Sequence, residues 1–439
     1  DEALPPAAAA TPPAGEATDA GSAPEDPAAG ASPSSPEARV GDAASGSASV
    51  TGTTPSRHGG EPSLVQLFEF KCDFTEGRNV SSMAWNKVNK DVLAVGYGEF
   101  NFKGQESGGM VLFWSLRNPE YPERVIQVPS GVTALDFSMR APHLLAVGTY
   151  DGGVAIYNLR KDTDVSTPVL DSSSLPGKHM DPVWQLKWVD KGPERGEVLV
   201  SISTDGRVAE WSMKKGLSCT TLMVLKRVGA TDGIISRQAS GLTFDFSTVD
   251  SSMYFAGTED GSIHRCSCSY NEQFLDTYSG HTGPVYRIRS SPFWSSAFLS
   301  CSADWTVKLW NTMEQEERLE FHSVDLTDVV HDVAWSPTSS TIFGSVAGDG
   351  RLEIWDLSQS LLDPAIRIYP EEPRADPASD REPTHHPAQT SVLFSDNSPV
   401  VAVGSSTGSA RIYRIAGLDV RPALGTEAQI ERLRSAMYQ

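Results

Sequence analysis

The chain has 439 residues, 36 Lys and Arg against 56 Asp and Glu, 39% hydrophobic residues, 37 Gly, 29 Pro and 5 Cys. A net charge of -20 works against a nucleic-acid or anionic-membrane surface, because phosphate binding draws its affinity from clustered Lys and Arg. No run approaches the ~18 consecutive apolar residues that span a bilayer and no opening resembles a secretory signal, while Cys72, Cys219, Cys266, Cys268 and Cys301 are spaced too irregularly for a disulfide framework and suit a reducing compartment.

Asp1 as the first residue points to a fragment or a processed chain. Residues 1–60 contain 46 Ala, Gly, Pro, Ser and Thr, no aromatic residue, and only Leu4, Val40 and Val50 as large aliphatics. Ordering a backbone costs about 1 to 2 kcal/mol per residue, and so little apolar area cannot offset it. Residues 1–61 therefore read as a disordered, low-complexity acidic tail.

From Leu64 onward the texture changes to short runs rich in Val, Ile, Phe, Tyr and Trp between clusters of Gly, Asp, Ser and Pro, the pattern of many short strands. Leu64–Phe70 alternates as an extra strand, with Leu64, Leu67, Phe68 and Phe70 expected inside. One phrase then recurs seven times: VLAVGYG (92–98), LLAVGTYDG (144–152), VLVSISTDG (198–206), MYFAGTEDG (253–261), FLSCSADW (298–305), IFGSVAGDG (342–350) and VVAVGSSTG (400–408). Six residues beyond a turn position each copy carries a bulky side chain: Gly108 to Trp114, Asp151 to Tyr157, Asp205 to Trp211, Asp260 to Cys266, Asp304 to Trp310, Asp349 to Trp355 and Thr407 to Tyr413. A further strand is predicted upstream of each phrase, at 80–85, 132–137, 183–188, 241–246, 285–290, 330–335 and 390–395, so each repeat is a small antiparallel sheet.

Copies 43 to 58 residues apart resemble the WD repeat, the four-stranded blade of a β-propeller, and seven blades close a ring. The fold class is therefore read as all-β, a seven-bladed propeller over 62–415, with a C-terminal extension at 416–439 that holds a short helix near 427–437. Leu64–Phe70 is expected to close the last blade, whose edge it would otherwise leave open. Only Trp355-Asp356 supplies the signature dipeptide literally, so the assignment rests on spacing. Long connections at 98–109, 213–240 and 357–389 read as partner-binding or disordered.

The third repeat contains His179, Ser201, Asp205 and Trp211, and the fifth His281, Ser300, Asp304 and Trp310, with Ser, Asp and Trp at identical spacing. A Ser, His and Asp set invites a hydrolase reading. A catalytic triad needs one exposed nucleophile in a cleft, however, whereas a repeated set satisfies buried polar groups. These tetrads are read as structural, with Asp304 expected to hold the donors of both His281 and Trp310. Gly404-Ser405-Ser406-Thr407-Gly408 matches a nucleophile elbow by letter, yet the following SARIYRI (409–415) alternates like a strand. Cys266 and Cys268 lack further ligands at zinc spacing and read as core, and His385-His386 as surface loop. No catalytic residue, metal site or cofactor is predicted. Nor do the inner strands show the ring of acidic, Arg or metal-binding residues around a channel that a propeller enzyme would need.

Six phrases, VGYGEFNF (95–102), LRNPEYPE (116–123), YDGGVAIYNL (150–159), GKHMDPVWQLKW (177–188), FLDTYSGH (274–281) and SADWTVKLW (302–310), resemble the propeller of axonemal outer-arm dynein intermediate chains of the class-one type. NPEYPE and DPVWQLKW lie in connections and inner strands that the fold does not dictate, which makes the likeness specific. It implies a noncatalytic scaffold of the cytoplasm and cytoskeleton, in the axoneme of a cilium or flagellum. It also implies a dynein heavy-chain tail held by the propeller, a second intermediate chain and light chains gathered upstream, and microtubule attachment through the complex, with no nucleic-acid or membrane partner. Residues 1–60 show no matching light-chain motif. In WD-repeat propellers the residue before the turn Asp and the one just inside the inner strand face the top of the ring. That implies a partner-binding set of Tyr150, Trp184, Thr204, Glu259, Tyr286 and His331. The alternative is a WD-repeat adaptor of another assembly, for example cytoplasmic or intraflagellar dynein, which leaves the connection phrases unexplained.

Overall fold

The computed structural model describes residues 61–98, 108–160, 166–214, 216–227, 238–322, 328–372, 385–420 and 424–438. The predicted tail at 1–60 and the middles of the three long connections lie outside the described residues. From Ser63 to Ala416 the described residues form seven four-stranded antiparallel sheets. Their inner strands are Asn79–Trp85, Val132–Phe137, Val183–Asp190, Gly241–Phe246, Val285–Ser290, Val330–Trp335 and Gln389–Phe394. Each inner strand packs on the inner strands of the two adjacent sheets, the last on the first, so the ring closes around a channel. The fold is an all-β, seven-bladed propeller.

Second strands such as Glu197–Ser203 meet a neighbouring blade on each face, which is why they read as continuous apolar runs and not as alternation. The seven residues spaced six beyond the turns, Trp114, Tyr157, Trp211, Cys266, Trp310, Trp355 and Tyr413, are all buried. Burying a large apolar side chain contributes ~1.5 to 3 kcal/mol, so this one repeated position is a principal source of stability. The turn that sets the spacing demands a left-handed residue. Gly261 has φ +85, and a Cβ there would lie 2.4 Å from the His281 carbonyl oxygen of the next blade. Trp305 occupies the same turn position in the fifth blade at φ 73, the one non-glycine residue of positive φ among those described.

The last blade is completed by Ser63–Phe70, antiparallel to Ala410–Ala416, with Leu64 opposite Ile415 and Phe70 opposite Ala410. Phe70 is fully buried and stacks on Trp114 of the first blade, ring centroids 5.1 Å apart. Leu67 departs from the expected alternation: the register shifts between Gln66 and Phe68, and Leu67 is 45% exposed. The C-terminal helix, Thr426–Met437, docks by burying Leu433, Ala436 and Met437 against the cluster of Phe343 and Trp355. Gln429 accepts the Ser340 N–H at 3.0 Å, and Arg318 Nε donates to the Met437 carbonyl at 3.0 Å, satisfying one of the acceptors that a helix end leaves free.

Candidate functional site

In the third blade Trp211 Nε1 donates to Ser201 Oγ at 2.8 Å, Ser201 Oγ lies 2.7 Å from His179 Nε2, and His179 Nδ1 lies 2.9 Å from Asp205 Oδ2. The fifth blade repeats the chain: Trp310 to Ser300 at 2.7 Å, Ser300 to His281 at 2.6 Å and His281 to Asp304 at 2.8 Å. An indole only donates and a carboxylate only accepts, so one proton order satisfies every atom. Ser donates to Nε2 of a neutral imidazole, whose Nδ1–H donates to Asp. That is also the proton order of a serine hydrolase, and burial separates the two cases. Ser201, Ser300 and His179 are wholly buried, and the indole N–H already occupies the serine oxygen.

Trp310 thus hangs from Ser300 and not, as the sequence suggested, from Asp304. Asp304 accepts instead from His281, from the Thr306 hydroxyl at 2.7 Å and from the Thr282 N–H at 3.1 Å. Burial would raise the pKa of Asp205 and Asp304, but the hydrogen bond from the partner histidine and those from the other donors on each carboxylate outweigh it. Both are depressed, Asp205 to about 2 with help from Arg207.

The mouth of the channel is shaped by an irregularity common to all seven blades. In every inner strand the register skips the second residue of the repeat: Ser81, Thr133, Trp184, Leu242, Tyr286, His331 and Thr390. A bulge leaves a residue out of the ladder and re-aims its side chain. All seven line one cavity of about 430 Å³. Trp184, Tyr286 and His331, three of the six residues implied by the family likeness, are brought together there, with Tyr286 and His331 rings 6.0 Å apart. Tyr150 meets Trp184 edge-on at 6.2 Å, and Thr204 accepts the Trp184 indole N–H at 2.6 Å. Glu259 does not line the cavity, and its carboxylate pairs with Arg227 at 2.5 Å. Burial raises the Tyr286 hydroxyl and lowers the His331 imidazole, so both rings are neutral at pH 7.

The other end of the channel corrects the sequence reading. Residues farther along the same strands and just past their ends line a second cavity of about 390 Å³, bearing Lys87, Lys90, Lys187, Arg287 and Arg289 together with Asp136, Asp245, Asp332 and Asp396. No inner strand contributes more than two of these, so only closure of the ring assembles them. Arg287 borders both cavities, donating to Asp332 Oδ1 at 3.0 Å and reaching Gln185 Oε1 of the third blade at 3.4 Å. Elsewhere, Cys266 and Cys268 pack in the fourth-blade core, and His386 stacks on Tyr369 while His385 is exposed.

Residues 272–311 and 314–356 match the WD domain, G-beta repeat family. Dynein axonemal intermediate chain 4 of Xenopus laevis is 49% identical over 363 residues, covering 79% of this chain and 46% of that protein. The Homo sapiens protein of the same name is 48% identical over 371 residues, 80% of this chain and 41% of that protein. Over about four fifths of its length the chain is similar to axonemal dynein intermediate chains. A more distant member, Dynein intermediate chain 2, ciliary, of Heliocidaris crassispina, is 36% identical over 354 residues, 79% of this chain and 48% of that protein. The chain spans less than half the length of the curated relatives it matches. Similarity over four fifths of the chain reaches well beyond the two repeats matched by the general WD family, in keeping with the connection phrases.

Proposed function

We propose that this chain is a noncatalytic scaffold of an axonemal dynein, in the outer arm that its connection phrases resemble, and that its propeller holds a heavy-chain tail at the bulge-built mouth. The alignment of about four fifths of the chain with proteins named axonemal dynein intermediate chains carries this reading. The chemistry of the blades supports it, since both Ser-His-Asp chains are sealed from substrate. Trp184, Tyr286, His331 and Tyr150 present aromatic surface beside polar Thr204, the composition of an interface centre, while Glu259 belongs to its rim. Partners of the second-intermediate-chain and light-chain type would bind outside the propeller. No helix among the described residues is long and apolar enough to cross a membrane.

The test is recovery of the tagged chain from demembranated axonemes by high-salt extraction, with outer-arm and inner-arm heavy chains told apart by mass spectrometry. Co-elution with an outer-arm heavy chain is expected. An inner-arm heavy chain would move the assignment to that arm, and another complex without any heavy chain would favour the general adaptor reading.

A further inference from the structure

We propose that the charged end of the channel is a binding site for a small phosphate-bearing anion, centred on Arg289. The inference stands apart from the dynein assignment and rests on the pairing of charges in this chamber. Five cations and four carboxylates face it, in a chain whose net charge is -20.

The carboxylates are already committed. Asp136 accepts the Trp188 N–H at 2.8 Å and lies 3.2 Å from Lys87 Nζ. Asp245 accepts the N–H groups of Phe246 and Ser290 and pairs with Lys187. Asp332 accepts from Arg287 Nε, from the N–H groups of Val333 and Val392 and from the Ser391 hydroxyl. Asp396 pairs with Lys90. Asp136, Asp245 and Asp332 each fasten one blade to the next through a backbone N–H, which fixes their positions and uses their lone pairs.

Arg289 is left over. Its guanidinium makes no hydrogen bond among the described residues, and the one carboxylate within 4.0 Å is Asp332, at 3.9 Å and shared with Arg287. Its side chain is 29% exposed, into the chamber it lines. Burial and the like charge of Arg287 work against its proton while Asp332 and Asp245 offset them in part, and a guanidinium does not give the proton up, so a further anion in the chamber would be favoured there. Five N–H donors in a fork suit a phosphate oxygen pair, and lysines from other blades add point charges around it. A volume of about 390 Å³ suits a small molecule, and Arg287 bars passage toward the other mouth.

The full chain is titrated with inorganic pyrophosphate, at ionic strength held constant with chloride, and followed by thermal melting and calorimetry. Saturable stabilisation of the wild type is expected. Arg289→Gln removes a repulsion and no hydrogen bond, so it should melt at or above wild type without ligand and lose the pyrophosphate shift. Arg289→Lys keeps the charge and the fold without the fork, and should bind about tenfold more weakly. Absence of a saturable shift in wild type, or equal affinity in wild type and Arg289→Lys, overturns the proposal. So does a hexaglutamate peptide that binds where pyrophosphate does not, which would assign the chamber to an acidic chain segment.

Discussion

The fifth and seventh blades share one four-stranded plan and are held together by different means. The fifth is contiguous, from His281 to Phe321, and its buried polar groups are met internally by the chain from Trp310 through Ser300 and His281 to Asp304. The seventh has Thr407 at the turn, and the polar groups around that turn are met from outside. Glu371, from the preceding connection, is buried and accepts from the hydroxyls of Thr407 at 2.9 Å and Ser409 at 3.1 Å, with Arg411 Nη1 3.2 Å away. Its outer strand arrives from the far end of the propeller, where Glu69 and Arg411, 342 positions apart, lie at 3.3 Å. A local blade forms from its own sequence, whereas the seventh waits on contacts of long loop-closure entropy and thereby makes the whole ring cooperative.

Removing the distant strand is the largest break in that comparison. A chain beginning at Asp73 loses Phe70, fully buried, and the half-buried Leu64 and Phe68, and leaves Ala410–Ala416 with unpaired backbone groups. Each fully buried side chain of this kind contributes ~1.5 to 3 kcal/mol against a net stability of ~5 to 15 kcal/mol, so melting should fall steeply and aggregation follow. A chain beginning at Gly60 should melt like the full one. Equal melting points and monomeric elution for both truncations would show that the seventh blade closes without Ser63–Phe70.

Within the fifth blade, Asp304→Ala strands His281 Nδ1–H and the Thr306 hydroxyl while Trp310 keeps Ser300. The expected loss is about 1 to 3 kcal/mol by denaturant titration. Ser300→Ala orphans both Trp310 and His281 and should cost at least as much. If Asp304→Ala unfolds like wild type and yet no longer captures a heavy chain, the residue is a contact and not a support.

How far the sequence showed all this depends on whether a feature is local. The seven-fold spacing and the strand at Leu64–Phe70 were legible because periodicity survives without contacts. The bulges were not, since nothing in the letters distinguishes Ser81 from His331. Their aromatic members came forward only through the family likeness. The chamber stayed hidden because Lys187, Asp245 and Arg289 belong to different repeats, and Glu371 because it lies in a connection. Letters also mislead: the sixth blade carries the literal Trp355-Asp356 with Ser345 and Asp349 at the right spacing, yet Trp355 Nε1 is buried without a partner among the described residues.

Acid should separate blades with the polar chain from blades without it. Asp205 is held at about 2 in the folded chain, below the ~3.9 of an unfolded Asp, so the stability it contributes is full above about pH 4 and is lost as pH falls through the folded value. The window carries on the order of 2 kcal/mol. Asp205→Asn should therefore be less stable than wild type at pH 7 and should lose less between pH 4 and pH 2. Parallel acid curves for the two would show that Asp205 is not the titrating support.

The smallest expected effect reverses the usual sign and asks why the fifth blade tolerates Trp305. The corresponding turns of five other blades, at Gly152, Gly206, Gly261, Gly350 and Gly408, use glycine at φ 74 to 88, while Trp305 sits at φ 73 with its ring 42% exposed. A left-handed conformation costs a bulky residue about 1 to 2 kcal/mol, and an exposed indole regains little of that by packing. Glycine relieves the strain but adds freedom to the unfolded chain, so Trp305→Gly should stabilise by about 1 kcal/mol or less. Strain kept at an exposed aromatic is most economically explained by a contact, because tryptophans are frequent energetic anchors of interfaces. Trp305→Gly should thus melt slightly higher while capturing less heavy chain, and Trp305→Ala, which keeps the strain and removes the ring, should bind weakly without melting higher. A glycine variant that melts higher and binds like wild type would leave Trp305 as strain with no interface role, and one that melts lower would show that the ring packs more tightly than its exposure suggests.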